Sequence, residues 1–120
     1  MRDRVGHAGE AAALAYLKER GFRILARDWR SRLGQIDIVA EDGETLVLIE
    51  VKARRGTSFG PPQEAVDARK QRKLRTLLEL YRAQTHRQQQ PCRIDVLALM
   101  MDGSLGVAKV EHIEDAVQGE

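Results

Sequence analysis

The stretch LVLIEVKARR, from Leu46 to Arg55, restricts the choice of fold more than any other part of the sequence. Its first four residues form a continuous apolar run, which is typical of a strand covered on both faces. Glu50 and Lys52 then follow on either side of Val51. Because side chains alternate along a strand, both share a face with the first and third residues of the run. The sequence therefore predicts a carboxylate and an amine on the buried face of a core strand, where each is costly without a partner.

The flanking sequence predicts a helix, three strands, a second helix and two more strands. This order, α-β-β-β-α-β-β, favours an antiparallel meander followed by a right-handed helical crossover to a parallel fourth strand. We therefore predict an α/β sandwich with a mixed five-stranded sheet. The predicted elements are a helix over Gly6–Arg20 that stops at Gly21, strands over Phe22–Arg30, Gly34–Asp42 and Glu44–Arg54, a helix from Gln63 or Glu64 to Gln84, and strands over Cys92–Met101 and Leu105–Ile113.

The length and composition indicate one globular domain. The chain has 120 residues, of which 42% are hydrophobic and 32% are charged, and we predict a single domain over 1–115 with a flexible tail over 116–120. The formal net charge of +2 does not by itself indicate a nucleic-acid partner. A lone cysteine, no signal-peptide pattern and no apolar run of membrane length together predict a cytoplasmic protein that does not enter a membrane.

The hairpin between the second and third strands decides which side chains meet. The pair Asp42-Gly43 is a strong signal for a two-residue hairpin loop. With that loop, Asp37 lies one diagonal step from Glu50, on the face that also carries Lys52. The sequence thus predicts two carboxylates and a lysine on one patch of an otherwise apolar face.

Each predicted helix carries one ionisable residue in the middle of its sheet-facing apolar stripe. On the first helix this residue is Glu10, and on the second it is Lys70. The Lys70 stem could pack against the sheet while its amine reaches solvent, or the amine could reach a phosphate or a carboxylate of the site. An ionisable residue at a position where the pattern favours an apolar one is costly to stability. Several such positions that can come together in space are typical of a functional site.

The residue types indicate a site for a hard divalent cation. Carboxylates of Asp37, Glu50 and Glu10 suit Mg²⁺ or Mn²⁺, whereas the scattered Cys and His residues offer no structural zinc site. A cation held by Asp37 and Glu50 could bind a phosphate oxygen and lower the pKa of a bound water. Lys52 could orient or deprotonate that water or stabilise charge on the phosphate. This chemistry is hydrolysis of a phosphodiester.

Three short motifs also resemble those of PD-(D/E)xK nucleases, a superfamily that includes restriction endonucleases and archaeal Holliday-junction resolvases. The motifs are GHAGE at Gly6–Glu10, GQID at Gly34–Asp37 and EVK at Glu50–Lys52, against family elements G-x-x-x-E, G-x-x-D and E-x-K. The whole chain is similar to the YraN-like family of small bacterial proteins. That similarity extends through Phe59–Pro61, Glu64–Val66, Lys70 and Cys92–Val96.

The resemblance implies a restriction-endonuclease-like fold and assigns roles to the candidate residues. It implies that Asp37 and Glu50 bind the metal, that Lys52 assists the water and that Glu10 completes the acidic cluster. One residue departs from the pattern, because relatives usually have Glu where this chain has Gln35. In the predicted register Gln35 faces Glu50, so it would remain a polar neighbour of the site while removing one charge.

A DNA partner is the expectation for such a site, and the second helix carries the candidate contacts. The cluster between Arg69 and Arg75 is either the solvated face of an amphipathic helix or a phosphate-binding surface. Cutting both strands of a duplex often uses two symmetry-related sites, so a homodimer is one expected assembly. The candidate nucleic-acid-binding residues are Gln63, Arg69, Lys70, Arg72 and Lys73.

Three functions stay open from the sequence. The first is a metal-dependent nuclease acting on DNA, including branched or single-stranded DNA. The second is a nucleic-acid-binding module without turnover, and the third is an interaction protein whose charged residues form a buried ion-pair network. Several other residues are predicted to be structural: Trp29 as a core or edge anchor, Arg93 with Asp95 as an ion pair, Cys92 as a small strand residue, and His7, His86 and His112 as surface residues.

Overall fold

A computed structural model describes residues 4–55, 66–104 and 106–117 of the chain. In these residues the protein forms two helices and five strands in the order α-β-β-β-α-β-β, which confirms the predicted fold class. The elements are α1 (Arg4–Glu19), β1 (Arg23–Ser31), β2 (Gly34–Asp42), β3 (Thr45–Arg55), α2 (Ala68–Gln84), β4 (Cys92–Met101) and β5 (Val107–Ile113).

The strands form one mixed sheet in the sequential order β1-β2-β3-β4-β5. Neighbouring strands are antiparallel except β3 and β4, which are parallel and are joined through α2. A parallel pair requires a long crossover connection, and α2 supplies it. The predicted meander and parallel fourth strand are therefore confirmed.

The two faces of the sheet bury separate apolar cores, one under each helix. Leu46 and Leu48 of β3 point towards α2, whereas Val47 and Ile49 point towards α1. This explains why the first part of β3 is apolar at every position, since neither face meets water. It also places Glu50 and Lys52 on the α2 face by alternation.

Helix α1 ends as the sequence predicts and packs very closely on β3. Gly21 has a positive φ of 91°, and the amide of Phe22 donates to the carbonyl of Leu17 at 3.0 Å, which closes the helix in a Schellman turn. Gly9 lies against β3, because a Cβ added there would be only 2.5 Å from the Cβ of Ala53. The glycine lets the helix backbone approach the strand.

Helix α2 begins later than predicted from the sequence. Val66 and Asp67 are not helical, and Asp67 caps the helix by accepting a hydrogen bond from the amide of Lys70 at 2.9 Å. The predicted start at Gln63 or Glu64 is therefore wrong. Asp is a preferred N-cap because its carboxylate satisfies a backbone amide that has no partner within the helix.

The β2–β3 hairpin differs from the prediction by two residues. Asp42 pairs with Thr45, so the turn consists of Gly43 and Glu44 and not of Asp42 and Gly43. Gly43 has a φ of 61°, the positive value that the first central residue of such a tight turn needs. The residue predicted to lie opposite Asp37 is therefore wrong as well.

The end of the described chain packs against the sheet. The amide of Ala116 donates to the carbonyl of Ile94 at 2.8 Å, and Val117 is buried in the core under α2. The predicted flexible tail from 116 onward is thus wrong for these two residues, and 118–120 lie outside the described residues. Within the described part of the chain, neither helix is long and apolar enough to cross a membrane.

Candidate active site

The sheet forks between β2 and β3, and the candidate site lies in the fork. The ladder between these strands ends at the pair Ile38–Ile49. Beyond it, the start of β2 pairs only with β1 and the end of β3 pairs only with β4. Across the gap, the amide of Val51 donates to Oδ2 of Asp37 at 2.9 Å. The Asp37 carboxylate therefore takes the place of a backbone acceptor and is oriented by β3.

Asp37 and Glu50 lie on the same face, and the corrected register brings them closer than predicted. Continuing the ladder by one position sets Asp37 directly opposite Glu50, and not one diagonal step away as predicted from the sequence. The shift of two residues preserves the face because side chains alternate with a period of two. The predicted grouping of these carboxylates with Lys52 therefore holds, although the predicted register was wrong.

Two lysines contact the Glu50 carboxylate from different elements. Nζ of Lys52 on β3 lies 3.4 Å from Oε2 of Glu50, and Nζ of Lys70 on α2 lies 3.3 Å from the same oxygen. Of the two alternatives for Lys70, the structure shows the one in which its amine reaches a carboxylate of the site. Two positive charges and two negative charges thus meet on the buried face that the sequence singled out.

A cavity of about 410 Å³ opens beside these carboxylates. Six of its seven lining residues are polar or charged, and the seventh is Leu77. Lys73 packs across Gly34, where a Cβ would be 2.8 Å from its Cε, so the glycine makes room for the lysine stem. The polar lining residues are Arg30, Gln35, Asp37, Glu50, Lys70 and Lys73.

The environment of Glu50 disfavours its charged form. Burial raises the pKa of the carboxyl group above its ordinary value of 4.5, and the charge of Asp37 raises it further. Lys70 and Lys52 act in the opposite direction but do not cancel these effects. Glu50 is only 5% exposed, so water compensates little of this cost. Burial, together with repulsion from Asp37, thus disfavours the charged carboxylate more than the two lysines favour it, and a bound cation would offset that cost.

The raised pKa predicts how metal-free stability depends on pH. Below pH 4.5 Glu50 is protonated in both states, and as the pH rises the unfolded chain loses its proton first, so stability falls until the raised folded pKa is passed. A tenfold difference in proton affinity between the two states corresponds to about 1.4 kcal/mol. We therefore expect Glu50→Gln to raise the melting temperature at pH 8, by roughly 4 °C for each kcal/mol. Thermal unfolding in a chelating buffer between pH 4 and pH 8 measures both curves.

Glu44→Gln is the matched control, because Glu44 is exposed on the same hairpin. This variant should follow the wild-type curve within experimental error. A Glu50→Gln protein less stable than wild type at pH 8 would contradict the prediction. That result would mean that the contacts of Glu50 with Lys52 and Lys70 outweigh its burial and the repulsion from Asp37.

The other predicted residues are placed as follows. Glu10 is buried on α1 beside Gly9, and it is not among the residues that line the cavity. Gln35 lines the cavity but pairs with β1, and its side chain donates to Asp28 at 3.0 Å, so the predicted pairing with Glu50 is wrong. Arg69 and Arg72 are exposed on α2 away from the cavity lining. Gln63 lies outside the described residues.

The donor set fits a hard divalent cation only in part. Asp37 and Glu50 provide carboxylate oxygens, and Mg²⁺ or Mn²⁺ would stabilise the charged form of Glu50, which burial disfavours. Among the described residues, no group of three or more His, Cys, Asp or Glu side chains is arranged to hold a metal ion. These two carboxylates would therefore hold a cation together with water or with oxygens of the substrate, as is common for Mg²⁺.

Arg30 was not predicted from the sequence, and His112 was predicted wrongly. Arg30 lines the cavity from β1, and nothing in its local sequence distinguishes it from the neighbouring arginines. The His112 side chain is only 7% exposed, and its Nε2 lies 2.8 Å from Oδ2 of Asp95, so it is not a surface residue. The predicted Arg93–Asp95 pair is confirmed at 2.9 Å, and Trp29 packs edge-on against Tyr81 as the predicted anchor.

Comparison with known proteins shows the family of the chain. A sequence model described as "Uncharacterised protein family UPF0102" matches residues 9–99, which include most of α1, all of β1, the forked hairpin and α2, and most of β4. A UPF0102 protein of Symbiobacterium thermophilum is 52% identical over 97 residues, covering 81% of this chain and 82% of that protein. UPF0102 proteins of Moorella thermoacetica and Rhodococcus opacus are 48% and 42% identical, covering 96% and 93% of this chain and 96% and 94% of their own lengths. The chain belongs to the UPF0102 family.

Proposed function

We propose that the protein is a divalent-metal-dependent nuclease that hydrolyses phosphodiester bonds of DNA. One observation carries the proposal. Asp37 and Glu50 meet on the buried face of a forked sheet, beside an open polar cavity, at a place that raises the pKa of Glu50 despite two nearby lysines. A buried carboxylate whose charged form is disfavoured lowers the stability of the fold. Residues of this kind are concentrated at functional sites.

The metal-binding role falls to Asp37 and Glu50. A Mg²⁺ or Mn²⁺ ion at this site would supply a Lewis acid for a phosphate oxygen and would lower the pKa of water. Asp37 is already oriented for such a role, because the Val51 amide fixes its carboxylate on the side of β3. Orientation before binding lowers the entropy cost of assembling the site.

The two lysines would act on the substrate. Lys52 is adjacent to Glu50 on β3, and its amine could orient or accept a proton from the attacking water. Lys70 lines the cavity, and its amine could neutralise charge on the phosphate that is cut. A cation held by Glu50 would compete with both amines for that carboxylate, which would leave the amines available to substrate.

A second candidate function is a non-catalytic ion-pair network. The contacts of Lys52 and Lys70 with Glu50, at 3.4 and 3.3 Å, favour it, because they partly neutralise the carboxylate within the protein. The raised pKa of Glu50 argues against it, because a network built for stability would leave the carboxylate better compensated. Metal binding separates the two candidates.

The test is a titration of the metal-free protein with Mn²⁺ by calorimetry, with Asp37→Asn alongside. The wild type is expected to bind, and Asp37→Asn is expected to bind at least about tenfold more weakly, since it removes one of two charged ligands. Asp102→Asn, in the exposed turn after β4, is the matched control and should bind as the wild type does. A second titration in the presence of a DNA oligonucleotide detects a metal site whose remaining ligands are phosphate oxygens of the DNA.

Each result separates the proposals. Mn²⁺ binding that needs Asp37 but not Asp102 supports the metal site and justifies cleavage assays on DNA of different structures. Absence of binding by the wild type, both alone and with DNA, would reject the metal-dependent nuclease. Equal binding by wild type and Asp37→Asn would mean that another part of the chain holds the ion.

A further inference from the structure

A second cleft adjoins the candidate active site at the turn between β1 and β2. It encloses about 380 Å³ and lies between that turn and the last turns of α2. Leu33 from the turn and Leu80 from α2 form its apolar surfaces, and Gln84 adds a polar group at the end of the helix. Arg30 lines this cleft and the catalytic cavity, so one side chain separates the two.

Leu33 is held in an exposed position by the turn itself. Leu33 is 52% exposed, whereas most large apolar residues in the described part of the chain are buried. The Ser31 hydroxyl accepts a hydrogen bond from the Leu33 amide at 3.1 Å and donates to the Gly34 carbonyl at 3.0 Å. These bonds keep the turn compact, so the leucine is presented to solvent by a defined backbone conformation.

The apolar cleft is bordered by positive charge. Arg30 and Arg32 both line it, and Lys73 lies across Gly34 in the neighbouring cavity. Within residues 4–55, 66–104 and 106–117, none of these three cations forms an ion pair. A ligand that contacts both the apolar cleft and the cations beside it would carry a negative charge next to a flat, largely apolar group. A nucleotide has both properties.

We propose that this cleft binds one unpaired nucleobase of a DNA strand whose adjacent phosphate lies in the catalytic cavity, an inference that rests on the proposed function. The base lies between Leu33 and Leu80 and against the Arg32 guanidinium, since arginine planes and apolar side chains both accept the face of a base. Arg30 binds the phosphate that connects the cleft with the cavity. Gln84 can hydrogen-bond the base edge.

The cleft beside the cavity favours one class of DNA substrate. A base in a continuous duplex is stacked and paired, and its face is not available to a pocket on the protein surface. An overhang, a flap or a branch point offers an unpaired base without that cost. The preferred substrate is therefore DNA with an unpaired nucleotide next to the phosphodiester that is cut.

The test compares two DNAs in metal-free buffer with chelator, where no cleavage interferes. They share one duplex, and one of them carries a short single-stranded overhang with the fluorescent base 2-aminopurine at successive positions. The wild type is expected to bind the overhang DNA more tightly, and 2-aminopurine at one position should brighten as that base leaves its neighbours. Leu33→Ala should lower affinity for the overhang DNA about tenfold and remove the brightening, with unchanged affinity for the blunt duplex.

Val107→Ala is the matched control, because in the described part of the chain Val107 and Leu33 are the two exposed large apolar residues, and Val107 lies at the far edge of the sheet on β5. It should behave as wild type with both DNAs. Equal binding of overhang and blunt DNA by wild type and Leu33→Ala would overturn the base-binding cleft while leaving the nuclease proposal intact. Failure of the wild type to bind either DNA, with or without Mn²⁺, would count against the proposed function and so against the cleft.

Discussion

Lys52→Ala is expected to lower the rate of DNA cleavage by about 10²–10⁴-fold, the range associated with loss of a general acid or base. Lys52 follows Glu50 on the end of β3 that no β2 residue covers, and its amine lies 3.4 Å from Oε2 of Glu50. Substrate cleavage under single-turnover conditions with Mn²⁺ measures this step. Mn²⁺ affinity should change far less than cleavage, because Asp37 and Glu50 remain.

A pH profile distinguishes this role from a structural one. Lys52 is one of the groups that lower the pKa of Glu50, so its removal should shift the onset of Mn²⁺ binding to higher pH. Lys52→Arg keeps the charge, and it should restore that onset without restoring cleavage, since an arginine does not accept a proton at neutral pH. Lys109→Ala, on the exposed edge strand, is the matched control. Cleavage within about threefold of wild type in Lys52→Ala would exclude the proposed role.

Asp95→Ala is expected to destabilise the protein by about 3–5 kcal/mol, the usual cost of removing one partner of a buried charge pair. Asp95 is 0% exposed, and both of its oxygens are engaged. Arg93 donates to them at 2.9 and 3.1 Å, the Asp115 amide donates at 2.9 Å, and His112 lies at 2.8 Å. Truncation leaves a guanidinium without its buried partner. Urea unfolding at pH 7 measures the change.

The same group makes stability sensitive to acid. Burial raises the pKa of Asp95, but hydrogen bonds from His112, Arg93 and the Asp115 amide outweigh it and hold the pKa below 3.8. A lowered pKa stabilises the folded state above pH 3.8, and this contribution is lost as the pH falls through the folded pKa. The free energy of unfolding should therefore decrease less at acid pH in Asp95→Ala than in the wild type.

Asp42→Ala is the control for this variant. Asp42 also contacts Arg93, at 3.0 Å, but its side chain is 42% exposed and its removal leaves the Arg93–Asp95 pair in place. An exposed pair of this kind is worth about 0–1 kcal/mol. If both variants lost about 1 kcal/mol or less, Asp95 would not be the electrostatic centre of this face, and apolar packing around it would account for the stability.

The composition of the candidate site could be predicted from the sequence because it depends on periodicity. Alternation along β3 puts Glu50 and Lys52 on one face whatever the exact pairing, and a helical stripe puts Lys70 above them. Even a register error of two residues left Asp37 on the correct face. The bounds of β2 and β4 were also predicted correctly, since clear turn residues or polar segments flank both strands.

The geometry of the site could not be predicted, because contacts between distant residues set it. The Asp42-Gly43 pair is a good local turn signal, yet Asp42 stays in the strand, where Arg93 from β4 contacts its carboxylate. His112 likewise lies in a half-polar strand whose pattern is typical of a solvent-exposed edge, and it is buried by Asp95 and by Tyr16, which is 96 positions earlier in the chain. The start of α2, by contrast, could have been predicted from the local sequence, since Asp67 is a recognisable N-cap.

The fork has a consequence for how the site can be tuned. Asp37 belongs to the arm formed with β1, and Glu50 belongs to the arm formed with β4, and the two arms are joined by the ladder from Ile38–Ile49 to Asp42–Thr45. The spacing of the two carboxylates therefore depends on the twist of that ladder as well as on the hydrogen bond from the Val51 amide to Asp37 across the gap. Under the proposed metal-binding function, ion selectivity would be a property of backbone shape, and apolar substitutions in the ladder would adjust it without altering either carboxylate.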